Sequence, residues 1–122
     1  LARKRVHIDP MSRLFAILGE PRGRSRLHKV NALHHQAVAR LGTGLTVSAR
    51  DRSNVVQAIE DPERAFVIGV QWHPEFLVFS RGQQNLFRRL IDHARTYRAA
   101  RTAAPDSGGA QPPESAAPGA GE

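Results

Sequence analysis

The sequence predicts an α/β fold, and specifically the C-terminal portion of such a domain, on three observations. Five short strand-like segments joined by turn-rich connectors precede one long helical pattern, an order that suits the closing part of an α/β domain better than a whole one. The most apolar of these segments, Ala65 to Trp72, runs directly into His73-Pro74-Glu75. The last stretch, Thr102 to Glu122, is rich in Pro, Gly and Ala and has no large apolar side chain, so the foldable part is residues 1–101.

Taken in order, Arg5 to Ile8 alternates polar and apolar side chains and stops at Asp9-Pro10, as a strand closed by a turn does. Ser12 is placed to cap a short helix whose face is Leu14, Phe15 and Leu18 and whose end is Gly19. After a basic loop, Leu27 to Leu33 reads as a strand, and Ala37 to Leu41 as one helical turn at most. Leu45 to Ala49 alternates, with Leu45, Val47 and Ala49 on one face, and Val55 to Ile59 is the next strand. The connectors Asp51 to Asn54 and Asp61 to Arg64 are short enough for antiparallel neighbours. Phe66 to Val70 is a continuous apolar run, expected of a strand buried on both faces. From Ser80 or Gly82 the period becomes helical, with Leu86, Phe87, Leu90, Ile91 and Ala94 on one stripe, and this helix is expected to fray near Tyr97 to Arg101.

The net charge of +7 is carried by sixteen Arg and two Lys. The arginines are dispersed and the aromatics do not interleave with them, so a solvated basic surface is expected and nucleic-acid binding is not. With no cysteine, disulfides, thiolate metal sites and thiol catalysis are excluded from within these 122 residues. No apolar stretch is long enough to span a membrane, and the expected setting is cytoplasmic.

The chemistry concentrates at His73-Pro74-Glu75. Pro74 has no backbone donor and a fixed φ, so the preceding strand must leave its sheet there. The imidazole is then expected at the carboxyl end of a central strand, where open α/β sheets hold their ligands. A carboxylate two residues on can accept one ring N–H, fix the tautomer and stabilise the imidazolium. His73 and Glu75 thus have the character of base and orienter in a nucleophile–base–orienter triad. Trp72 is expected to pack beside them, and His7, His28 and His93 to be ordinary surface histidines.

The run Val67-Ile68-Gly69-Val70-Gln71-Trp72-His73-Pro74-Glu75 resembles the C-terminal signature of class I glutamine amidotransferases. Val30-Asn31-Ala32-Leu33-His34-His35-Gln36-Ala37 resembles the segment VNSLHHQ of the γ-glutamyl-γ-aminobutyrate hydrolase group, the peptidase C26 branch. Leu45 to Ala49 and Val55 to Glu60 resemble the two strands between these motifs, so the resemblance extends over residues 6 to 95. It implies a flavodoxin-like α/β sandwich with a central mixed sheet, and hydrolysis of a small-molecule γ-glutamyl amide through a thioester. By the same resemblance His73 is the general base, Glu75 the orienting carboxylate, and His34 a residue on the substrate side of the site.

The family's cysteine nucleophile and oxyanion glycines belong to an N-terminal half that these residues do not contain, and none of the serines sits in a nucleophile elbow. The missing N-terminal half is therefore the partner the resemblance implies, and this chain by itself is expected to be inactive. Asp51-Arg52-Ser53-Asn54 also stands where the group usually has Asp-Gly. Two alternatives stay open: a truncated, non-catalytic remnant or interaction module, and the glutaminase domain of an ammonia-channelling amidotransferase. No cofactor is implied. A metal site from His34, His35, His73 and Glu75 is not expected, because adjacent histidines on an extended chain point to opposite sides.

Overall fold

Alternation places Val6 and Ile8 on one face of β1 (Arg3–Ile8), and both are fully covered in the computed structural model, which describes residues 3–22, 26–32 and 38–103. The chain then turns at Asp9-Pro10 into α1 (Arg13–Leu18). Ser12 caps this helix as expected, its Oγ accepting the Phe15 N–H at 3.1 Å, and Gly19 ends it at φ 77°, a conformation open to glycine without penalty. A residue far along the chain adds a second cap. The buried carboxylate of Glu60 accepts the N–H groups of Arg13 and Leu14 at 2.9 and 3.2 Å, satisfying two donors that the first helical turn leaves unpaired.

Four more strands follow: β2 (His28–Asn31), β3 (Thr46–Asp51), β4 (Val56–Glu60) and β5 (Ile68–Val70). Their order is β2-β1-β3-β4-β5 and every pairing is antiparallel, so the parallel strands of a mixed sheet are not among the described residues. A single 3-10 turn, Pro74–Phe76, leads to α2 (Arg81–Ala103). One core joins Val6 and Ile8 of β1, Leu14, Ile17 and Leu18 of α1, Val30, Ala49, Ala58, Trp72 and Leu86, so both helices cover the same face of the sheet. The helices meet closely at Gly82, where a Cβ would lie 2.7 Å from the Leu18 carbonyl oxygen.

Several expectations are corrected by this arrangement. The apolar run 66–70 is not a central strand buried on both faces. Only Ile68–Val70 pairs, at an edge of the sheet, and Val67 is 41% exposed. At one end the ladder closes with the Asp61 N–H to Val67 O bond (3.0 Å), and soon after its other end Trp72 turns into the core. In β3 the alternation fails at a β-bulge. Val47 pairs with Ile59 and Ala49 with Ala58, which leaves Ser48 as the extra residue and puts Val47 and Ala49 on opposite faces. Residues 38–41 have no regular structure, within the expected limit of one helical turn at most, and residues 33–37, including Leu33 and Ala37, lie outside the described residues.

The helix expected to fray from Tyr97 continues to Ala103, because the Arg- and Ala-rich stretch 98–103 has high intrinsic helix propensity even where it is exposed. The tail from 104 onward lies outside the described residues. His28 is more than a surface histidine: its Nε2 lies 2.9 Å from the Gly19 carbonyl and its ring meets Phe15 edge-on. His93 stacks on Phe66 at 5.2 Å.

At the β3–β4 turn Asp51 accepts the N–H groups of Ser53 and Val55, and Asn54 takes φ 65°, which asparagine tolerates better than most residues. The same carboxylate accepts Lys4 Nζ at 3.0 Å. Burial opposes its ionisation, but the hydrogen bonds from Val55, Lys4 and Ser53 outweigh burial and hold Asp51 below its ordinary value of 3.8. A depressed carboxyl contributes stability that is present above its unfolded value and lost as pH falls through the folded one. Asp51→Asn is therefore expected to lower the melting temperature at neutral pH and to flatten its decline below about pH 4, as read by circular dichroism.

Candidate active site

The site begins where β5 ends. Val70 makes the last ladder pair, Gln71 N–H still reaches the Gln57 carbonyl at 2.8 Å, and Trp72 then drops into the core with 3% exposure. Its indole N–H donates to Gln83 Oε1 of α2 at 3.0 Å, so the residue before His73 is tied to the helix. The packing role expected of Trp72 is the one it has.

Pro74 opens the 3-10 turn, whose bonds run from Phe76 N–H to the His73 carbonyl (3.2 Å) and from Leu77 N–H to the Pro74 carbonyl (3.0 Å). This tight turn brings Glu75 back to the imidazole, with His73 Nδ1 and Glu75 Oε1 2.8 Å apart. The side chains are 31% and 52% exposed, so the pair lies at the surface of the described residues. The backbone N–H of Glu75 itself, and then the His73 ring, hold the Glu75 carboxyl below its ordinary value of 4.5. The contact with a carboxylate favours a proton on Nδ1 and so fixes the tautomer of the ring.

The residue that holds the His73 main chain has no local signal in the sequence. The buried side-chain amide of Asn31, at the end of β2, accepts the His73 N–H at 2.7 Å and donates to the His73 carbonyl at 2.8 Å. The ring of Phe76 lies 5.8 Å from the imidazole. Asn31 stands in the Val30-Asn31 pair that opens the upstream motif, but nothing in its spacing shows that it meets His73. β2 and β5 are opposite edges of the sheet, which if flat would stand about 19 Å apart at ~4.8 Å per strand. The gap is bridged by curl of the sheet and by residues 71–73. His34, His35 and Gln36 lie outside the described residues, and among the described residues no group of three or more His, Cys, Asp or Glu is arranged to hold a metal ion.

The sequence matches the profile of the family Peptidase C26 over residues 1–75, more than half of the chain and ending on Glu75. The chain belongs to the peptidase C26 family. Members of this class I glutamine amidotransferase-like family are hydrolases and amidotransferases. This peptidase C26 chain is 40% identical over 92 residues to Rv2859c of Mycobacterium tuberculosis, assigned as a glutamine amidotransferase, covering 75% of this chain and 27% of that protein. It is 40% identical over 47 residues to the γ-glutamyl-γ-aminobutyrate hydrolase PuuD of Escherichia coli, covering 38% of this chain and 18% of that one. The chain thus spans about a quarter or less of these relatives. A crystal structure of a Thermoplasma acidophilum protein assigned as a subunit of GMP synthase superposes with a TM-score of 0.62 at 20% identity. The superposition covers 84% of this chain and 47% of that one, and shows the shared glutamine-amidotransferase-like α/β fold.

Proposed function

We propose that this chain is the C-terminal part of a cysteine-dependent γ-glutamyl amide hydrolase, supplying the general base His73 and its orienting carboxylate Glu75. The observation that carries this reading is the 2.8 Å contact between His73 Nδ1 and Glu75 Oε1 in a family of hydrolases and amidotransferases. The thiolate nucleophile comes from an N-terminal half outside these residues, since the chain has no cysteine, and the chain alone is expected to be inactive. Val67, Leu90 and Ile91, 41–50% exposed, are apolar surface suited to such a neighbour.

In the reaction, the cysteine sulfur attacks the γ-carbonyl of the substrate. His73 Nε2, having taken the thiol proton, delivers it to the departing amine, and a thioester forms as the C–N bond breaks. His73 then takes a proton from water, whose oxygen attacks the thioester, and the thiolate leaves as the free γ-carboxyl forms. The net change is γ-glutamyl amide plus water to glutamate plus amine. Glu75 keeps Nδ1 protonated and stabilises the imidazolium in both steps. A free thiolate nucleophile is best kept in a reducing compartment, and we place the enzyme in the cytoplasm.

The test is hydrolysis by the full-length protein, measured as amine released from γ-glutamyl amines and as ammonia released from glutamine. Amine release from γ-glutamyl amines is expected to dominate. Strong ammonia release with none from γ-glutamyl amines would instead identify a glutaminase feeding a synthase.

A further inference from the structure

We infer that Asn31 is the positioning residue of the His73 base, an inference that rests on the role proposed for His73 above. The side-chain amide of Asn31 is 3% exposed and both of its polar atoms are bound to one peptide residue: Oδ1 to the His73 N–H at 2.7 Å and Nδ2 to the His73 carbonyl at 2.8 Å. A primary amide offers an acceptor and a donor side by side, as a neighbouring strand would. Asn31 therefore continues for one residue the pairing that β5 stopped at Val70.

Glu75 and Asn31 divide the task of holding the imidazole. Glu75 is two residues away and on the same turn, so its contact with Nδ1 sets the rotation of the ring but travels with His73 wherever the turn goes. Asn31 is 42 residues away, on the opposite edge strand of the sheet, and grips the main chain from which the ring hangs. It fixes the His–Glu pair relative to the core. The role needs an amide of this length. Aspartate keeps an acceptor for the His73 N–H but turns an anion toward the His73 carbonyl, and alanine removes both bonds.

The experiment uses the full-length protein with a γ-glutamyl amine as substrate. Because a displacement of about 1 Å at a reacting group can lower rate ~100-fold, Asn31→Ala is expected to lower kcat by about that factor with KM changed less than about twofold. Asn31→Asp, nearly identical in shape, is expected to lower kcat in the same sense, and it decides the matter if Asn31→Ala fails to fold. Glu60→Gln serves as the control for general destabilisation, since the Glu60 carboxylate is engaged in capping α1. It is expected to lower the melting temperature while leaving kcat per folded molecule within about twofold. Folded Asn31 variants with unchanged kcat, or a Glu60→Gln loss of kcat as large as theirs, would overturn the inference. His73→Ala in the same series separates the two readings. If it abolishes turnover while the Asn31 variants keep it, only the positioning role falls; if His73→Ala is active, both fall.

Discussion

Replacing His73 by alanine in the full-length protein is expected to abolish turnover, with kcat reduced by on the order of 10^4-fold or more. The change removes the group proposed to move the proton in both halves of the reaction, and no other described histidine stands beside Glu75 to take its place. Glu75→Gln is expected to be much milder, about 10- to 100-fold. Glutamine keeps a carbonyl oxygen that can accept the Nδ1 proton, so the tautomer survives, and what is lost is the charge that stabilises the imidazolium. Because Glu75 is 52% exposed, solvent screens that charge and its loss weighs less than it would in a buried pair. The depressed Glu75 carboxyl also places any acid loss of its charge below pH 4.5. Steady-state rates on a γ-glutamyl amine check both variants. Equal and negligible effects of the two substitutions would contradict the roles assigned to the pair.

What could be read in the sequence was what is local. The Ser12 cap and the Gly19 stop depend on residues within one turn and have the expected form, whereas the chain leaves β5 after Val70, ahead of the Pro74 at which its departure was expected. The proximity of His73 and Glu75 is local in the same sense. The residues that place that pair are not. Asn31 reaches His73 only because the sheet curls its two edges together, and Glu60 caps α1 only because β4 runs beside its N-terminus. Side-chain type alone would have put a buried Asn and a buried Glu among surface residues. The bulge at Ser48 was hidden for a related reason. Strict alternation from Leu45 to Ala49 is what an unbroken strand would show, and the extra residue is revealed only by the partner strand. The apolar run 66–70 suggested a strand covered on all sides, but the described residues give it a neighbour on one side only.

Trp72→Ala is expected to be the most damaging change to stability, about 3–5 kcal/mol from the lost side chain alone. Trp72 is the largest side chain of the core, 3% exposed, and sits among residues of α1, α2 and the sheet. Its removal opens a cavity beneath the loop that carries His73 and also leaves the buried Gln83 Oε1 without its 3.0 Å donor. Against a typical total of about 5–15 kcal/mol, such a loss takes a large share of the margin that keeps a domain folded. Trp72→Phe separates the two contributions. It keeps most of the volume and forfeits the indole N–H, so its cost is expected to be about 1–3 kcal/mol. Urea unfolding of the full-length protein measures both. If Trp72→Phe were as unstable as Trp72→Ala, the tie to Gln83 rather than the packing of the ring would be what holds α2 against the strand that ends at His73.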